Sequence, residues 1–151
     1  MDVNWRTMIP ALWLMILIGH PLKVSAELVI IVHPDNPIQA LTEREVKKIF
    51  MGRIRMFPET ALETQVVDLP EDSPQFKVLY LELINISATK LRRYRASYLF
   101  SGKGSVPLEL PNMEVIKQYV NDTPSAIGYI DLEAVDKRVK PVYLLNHSPG
   151  R

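Results

Sequence analysis

The stretch LVIIVHPDNPIQALTEREVKKIFMG, residues 28–52, contains a strand, a turn and a helix in succession, and it decides the fold class. Its first five residues, Leu28–Val32, are all apolar and mostly β-branched. This composition is typical of a strand buried on both faces, as in a parallel sheet. Pro34 and Pro37 cannot continue a sheet ladder, so we expect the chain to leave the sheet after Val32.

A helix is predicted directly after this turn. Thr42 is a favourable N-cap, and Glu45 stands three residues later as the return partner of a capping box. Three apolar residues then follow at helical spacing: Val46, Ile49 and Phe50. Gly52 suits a left-handed cap at the helix end. The pattern predicts a helix between Thr42 and Gly52 that packs on a sheet by one face.

The rest of the chain alternates between strand and helix patterns. Strands are predicted at residues 63–69, 126–130 and 140–145, and helices begin at Pro74, after the cap Ser87 and after the cap Asn112. Gly128 lies inside the second of these strands, where we expect neighbouring backbone or a ligand to approach closely. The alternation predicts an α/β structure with a mixed sheet of about four to five strands, flanked by helices.

Composition narrows the class of protein. The chain has 151 residues, a net formal charge of +1 and no cysteine. A chain of this length forms one domain at most, and its near-neutral charge gives no field to gather nucleic acid. The lack of cysteine excludes disulfides, thiolate nucleophiles and cysteine-ligated zinc.

Residues 1–26 have the pattern of a signal peptide. Met8–Ile18 is an uncharged, almost wholly apolar run, and Val24–Ala26 presents small residues for signal peptidase. An uncleaved anchor is the alternative, but the apolar run is shorter than the roughly 20 residues that cross a bilayer. We therefore predict cleavage after Ala26 and an exported domain of residues 27–151.

The charges are unevenly placed. Asp68–Asp72 is an acidic turn, whereas no acidic residue occurs between Glu82 and Glu109 and a basic stretch, Lys90–Lys103, lies there. Arg95 and its neighbours are suited to capture an oxyanion or to dock on an acidic partner or a lipid surface, and a solvated helix face is the alternative.

The ordered segments VIIVHPDNPIQALTEREVKKIFMGR, DSPQF, YLFSGKG and PSAIGYI resemble the periplasmic phosphate-binding proteins of ABC transporters, and more narrowly their short, single-lobe relatives. The resemblance implies one lobe of a type 2 periplasmic-binding-protein-like fold. In that family a Ser-Gly-Thr turn at a helix start follows an arginine by four residues. Ser73 matches the serine, while Pro74 and Gln75 replace the glycine and threonine and Leu69 stands in place of the arginine.

The candidate ligand-binding residues are Ser73, Gln75, Arg95 and Lys103, and the candidate ligand is phosphate or another small oxyanion. Amide hydrogens and the positive end of the helix dipole converge at a helix start such as Ser73. A capping role for Ser73 or Asp72 is the alternative, and the nearby carboxylates Asp68 and Glu71 would repel an anion.

The resemblance implies a periplasmic, non-enzymatic, solute-binding-like protein connected with ABC transport, with a membrane transporter or envelope protein as partner. The alternative is a ligand-free interaction or regulatory module that docks on a membrane or envelope partner. His33 and His147 stand in no catalytic motif, and no metal or cofactor is expected.

Overall fold

A computed structural model of the chain describes residues 27–102, 104 and 106–145. The predicted signal peptide, Lys103 and His147 lie outside the described residues. The strands are β1 (Leu28–Val32), β2 (Gln65–Asp68), β3 (Leu108–Glu109), β4 (Ala126–Asp131) and β5 (Lys140–Leu145). The α-helices are α1 (Glu43–Phe50), α2 (Pro74–Lys77), α3 (Ala88–Phe100) and α4 (Met113–Asp122).

The five strands form a single mixed sheet in the order β3-β2-β4-β1-β5. The predicted α/β architecture, with helices flanking a mixed sheet, is therefore confirmed. β2 runs parallel to β3 and β4, whereas β1 runs antiparallel to both of its neighbours, β4 and β5. The parallel setting expected for β1 is wrong. All five of its residues are buried because both faces of the sheet are covered, and that does not depend on strand direction.

The helix caps agree with the sequence analysis. Thr42 and Glu45 form the predicted capping box at α1, and Gly52 beyond its end has φ +68°. Ser73, Ser87 and Asn112 each accept a hydrogen bond from a backbone amide three residues on. The predicted helix starts are therefore confirmed, because each cap depends on residues within a single turn.

The segment after α2 departs from a regular helix. Residues Val78–Leu83 continue α2 as a π-helix, in which Ile84 N donates to Leu79 O at 2.9 Å. Two residues beyond this segment, Asn85 has a φ of +58°, in the left-handed region, and Ser87 then caps α3. This wider helix carries Tyr80, which is fully buried against the sheet.

Gly128 lies in the middle of β4 and is crowded by side chains. A Cβ at this position would lie 2.7 Å from Val67 Cγ2 and 2.8 Å from Ile116 Cγ2. The close approach expected at Gly128 is real, but it comes from side chains of β2 and α4. The expected backbone or ligand neighbour is therefore wrong.

The direction of the strands sets the position of the candidate site. Because β2 and β4 are parallel, their carboxyl ends share one edge of the sheet. Asp131 ends β4 there, and the chain that leaves Asp68 at the end of β2 reaches Ser73 within five residues. Among the described residues, no helix is long and apolar enough to cross a membrane.

Candidate functional site

Ser73 caps the start of α2. Its Oγ accepts a hydrogen bond from Phe76 N at 3.2 Å, and its own amide donates to Pro70 O at 2.9 Å. Pro74 occupies the first helical position and has no amide hydrogen. Ser73, Pro74 and Phe76 therefore offer no amide hydrogen to an anion, and the capping interpretation of Ser73 is confirmed.

The side chain of Gln75 is directed along the same sheet edge. Its Nε2 donates to Asp131 Oδ2 at 2.9 Å, which ties α2 to the carboxyl end of β4. Both side chains are half-buried. The structure thus brings Gln75 close to Ser73, as the sequence predicts, but it gives the amide a carboxylate partner within the chain.

Arg95 lies at the centre of a buried polar cluster that we call the Asp68 cluster: Asp68, Tyr80, Arg95 and Tyr129. Arg95 Nη2 donates to Asp68 Oδ2 and to Tyr80 OH, each at 2.7 Å. Tyr80 OH donates to Asp68 Oδ2 at 2.8 Å, and Tyr129 OH donates to Asp68 Oδ1. The guanidinium also lies 5.1 Å from the centre of the Tyr80 ring, within the range of a cation–π interaction.

The Asp68 carboxylate is buried, with 2% of the residue exposed. Burial, and then the charge of Asp68, raises the pKa values of Tyr80 and Tyr129 well above their ordinary value. Both phenols therefore stay protonated and donate to the carboxylate. The backbone amide of Leu69 also donates to Asp68 Oδ1, at 3.1 Å. The Arg95 cation is neutralised by a carboxylate that is itself held by hydrogen-bond donors.

A second ion pair joins the same two segments. Arg92, one turn before Arg95 on α3, pairs with Glu71, three residues after Asp68 in the chain. The acidic turn and the basic stretch, which are separate features in the sequence, are therefore partly neutralised against each other. The signal that could have revealed this was matched spacing, since each segment presents its two charges three residues apart.

Two tyrosines of α3 attach this helix to the end of α1. Tyr94 and Tyr98 are stacked with ring centres 5.6 Å apart. Their hydroxyls donate to Met51 O at 2.8 Å and to Gly52 O at 2.6 Å. Sequence reasoning did not identify these backbone partners, because they lie more than 40 residues away along the chain.

A cleft of about 380 Å³ lies beside these tyrosines, at the amino end of β2. Its walls include Arg55, Gln65 and Leu108 as well as Tyr94 and Tyr98. Neither Ser73 nor Gln75 lines it, although Arg95 reaches it from the side. Of the candidate oxyanion residues that the structure describes, Arg95 alone lines this cleft, so they do not converge on it.

No group of three or more side chains from His, Cys, Asp and Glu within the described ranges could hold a metal ion. His33 lies in the turn after β1, and its Nδ1 accepts a hydrogen bond from Asp35 N at 3.0 Å. This contact stabilises the turn.

The chain is similar in fold to solved phosphate-transport proteins. A protein from Clostridium perfringens, described as a phosphate ABC transporter substrate-binding protein and solved with bound phosphate, matches with a TM-score of 0.60 at 24% identity, over 77% of this chain and 44% of that chain. An ABC-type phosphate transport receptor from Vibrio cholerae matches with a TM-score of 0.60 at 22% identity, over 77% and 45% of the two chains. PstS from Borrelia burgdorferi matches with a TM-score of 0.58 at 16% identity, over 77% and 46%.

These matches establish the fold and its extent. The chain spans less than half the length of the proteins that it matches, as a single lobe would. The predicted resemblance to the fold of phosphate-binding proteins is therefore confirmed. The sequence matches no protein-family model and no curated protein.

Proposed function

We propose that this chain is an exported, non-enzymatic protein with the fold of one substrate-binding lobe, and that it acts by docking on a membrane or envelope partner. The observation that carries the proposal is the internal pairing of the candidate anion-binding groups. Arg95 pairs with Asp68, and Gln75 donates to Asp131. Export to the periplasm rests on residues 1–26 and on cleavage after Ala26.

Weak recognition of phosphate or another small oxyanion, in connection with ABC transport, is the second candidate function. It is favoured by the similarity in fold to the Clostridium perfringens protein, which was solved with bound phosphate. In this candidate the ligand contacts Ser73, Gln75, Arg95 and Lys103. Arg95 would then have to exchange the Asp68 carboxylate for the ligand, at the cost of leaving Asp68 without its cation.

Calorimetry separates the two candidates. The processed protein, purified from the periplasm with its N-terminus checked, is titrated with inorganic phosphate to millimolar concentration. The docking proposal expects no heat of binding. A binding heat that Ser73→Ala or Gln75→Ala removes would instead support oxyanion recognition.

Docking itself is tested in the native envelope. A photo-crosslinking residue is placed at Ser97, on the exposed side of α3, and a matched one at Arg44, on the exposed side of α1. We expect crosslinks to membrane components from position 97 and not from position 44. Equal crosslinking from both positions, or none from either, would contradict docking through α3.

A further inference from the structure

The C-terminal end of α3 exposes two large apolar side chains, Leu99 and Phe100, which we call the α3 tip. Phe100 is 93% exposed and Leu99 is 49% exposed. An isolated exposed leucine is ordinary, but a phenylalanine with almost all of its surface in water at a helix end is costly. The α3 tip is thus a candidate contact surface.

The outward side of α3 carries positive charge behind this tip. Lys90 and Arg93 are exposed, and within the described part of the chain neither forms an ion pair. The other two arginines of the helix, Arg92 and Arg95, are paired with carboxylates. The charge left on the outward side is therefore positive.

The spacing of the charge and the tip is regular. Phe100 follows Arg93 by seven residues, so the two side chains share one side of the helix and lie about 10 Å apart along its axis. Between them lie the exposed small residues Ala96 and Ser97. The outward side therefore has an apolar end, a flat middle and a cationic region set back from the end.

We propose that the C-terminal end of α3 docks on an anionic phospholipid surface, with Phe100 and Leu99 inserted at the boundary between headgroups and acyl chains and with Arg93 and Lys90, on the outward side of the helix, at lipid phosphates. This inference rests on the proposed docking function and names its partner. Apolar residues at a membrane interface lie about 5–10 Å deep in this boundary. With the end of α3 directed into the surface, Arg93 follows about 10 Å behind Phe100 along the helix axis and so lies at headgroup level. Basic residues near an anionic membrane surface add attraction.

The shape of the surface favours lipid over a packed protein partner. A partner helix needs a continuous apolar seam, which repeats about every 3.5 residues. On α3 the outward residues between Arg93 and Phe100 are small or polar, and the apolar residues are confined to the tip. A fluid lipid surface accepts a single apolar tip with cations behind it.

The test is co-sedimentation of the processed protein with vesicles of phosphatidylglycerol and phosphatidylcholine, compared with phosphatidylcholine alone. We expect binding to the anionic vesicles that weakens as salt is raised. Phe100→Ser should weaken it about tenfold. Arg93→Glu changes the charge by two units, at roughly fivefold for each unit, so it should weaken binding roughly 25-fold.

Two control variants match these changes elsewhere on the surface. Met56→Ser removes an apolar side chain of 53% exposure, and Arg44→Glu reverses an exposed charge on α1. Neither should alter vesicle binding.

A fluorescence readout is also available, because both tryptophans of the chain, Trp5 and Trp13, precede the predicted cleavage site. Phe100→Trp then reports insertion by a blue shift that anionic vesicles alone produce.

No binding to anionic vesicles at low salt, or equal loss in the test and control variants, would overturn the lipid proposal. Its failure is distinguishable from failure of the docking function. If α3 crosslinks in native envelopes while protein-free vesicles fail to bind, the partner is a protein and the docking function stands. If neither native envelopes nor vesicles engage α3, both proposals fail.

Discussion

Replacing Arg95 by methionine removes the cation that neutralises the buried Asp68 carboxylate. The Asp68 side chain is 3% exposed and the Arg95 side chain is 23% exposed. Removal of one partner from a buried ion pair costs about 3–5 kcal/mol, because the other charge is left in a medium of low dielectric. Asp68 keeps two tyrosine hydroxyls and one backbone amide as donors. We therefore expect Arg95→Met to lower the free energy of unfolding by about 3 kcal/mol.

Arg92→Met is the matched control for this change. Arg92 lies on the same helix and also pairs with a carboxylate, but the side chains of Arg92 and Glu71 are 60% and 40% exposed. An exposed pair of this kind contributes about 0–1 kcal/mol, since solvent screens it. The difference between the two variants isolates the effect of burial.

The assay is urea unfolding of the processed protein at pH 7, followed by circular dichroism. A domain of this size has about 5–15 kcal/mol of stability, so the variants should remain folded in the absence of urea. A double-mutant cycle with Asp68→Asn should give a coupling energy of about 1.5–3 kcal/mol for the pair. If Arg95→Met costs no more than Arg92→Met, or if the coupling energy is near zero, the argument for the Asp68 cluster is refuted.

Two further predictions concern local packing and pH. Thr42→Ala should destabilise the protein by about 1 kcal/mol at pH 7. The hydrogen bond from the Thr42 side chain holds the pKa of Glu45 below its ordinary value, so this contribution is present above the unfolded pKa and is lost as pH falls through the folded one. The penalty of the variant, measured by urea unfolding, should therefore shrink below about pH 4, and a constant penalty from pH 7 to pH 3 would contradict the capping box. Gly128→Ala should cost about 1–3 kcal/mol, because its Cβ would lie within 2.8 Å of Val67 and Ile116. Thermal unfolding of the double variant with Val67→Ala should show less than the summed loss, and full additivity would indicate that Val67 is not the obstacle.

The local structure of the helices could be predicted from the sequence to a useful degree. The capping box of Thr42 and Glu45 and the caps Ser73 and Ser87 all appear as predicted. Such features depend on side chains within three or four residues of each other, and those distances are set by the helix itself. The alternation of these helices with apolar strands was also sufficient to predict the mixed sheet.

The candidate site could be predicted only in part. Ser73 and Gln75 lie together at one sheet edge, as their separation of two residues requires, and Arg95 lies near the same β2 end. The residues that hold Arg95 were missed. From the sequence, Asp68 is expected only to repel an anion, whereas in the structure it is the buried partner of Arg95. Tyr80 and Tyr129, which donate to Asp68, belong to no site that the sequence predicts.

The sequence by itself determined the caps, the apolar faces and the succession of strands and helices, because each rests on contacts within one or two turns of chain. Tertiary structure decided the antiparallel setting of β1, the side-chain neighbours of Gly128 and the pairing of Asp68 with Arg95, 27 residues away. It also decided that Phe100 faces water although its type favours burial. These properties depend on which surfaces the packed elements cover. The free energy of a charge or an apolar ring is set by how far its neighbours in space exclude water from it, and the position of the residue along the chain does not show this.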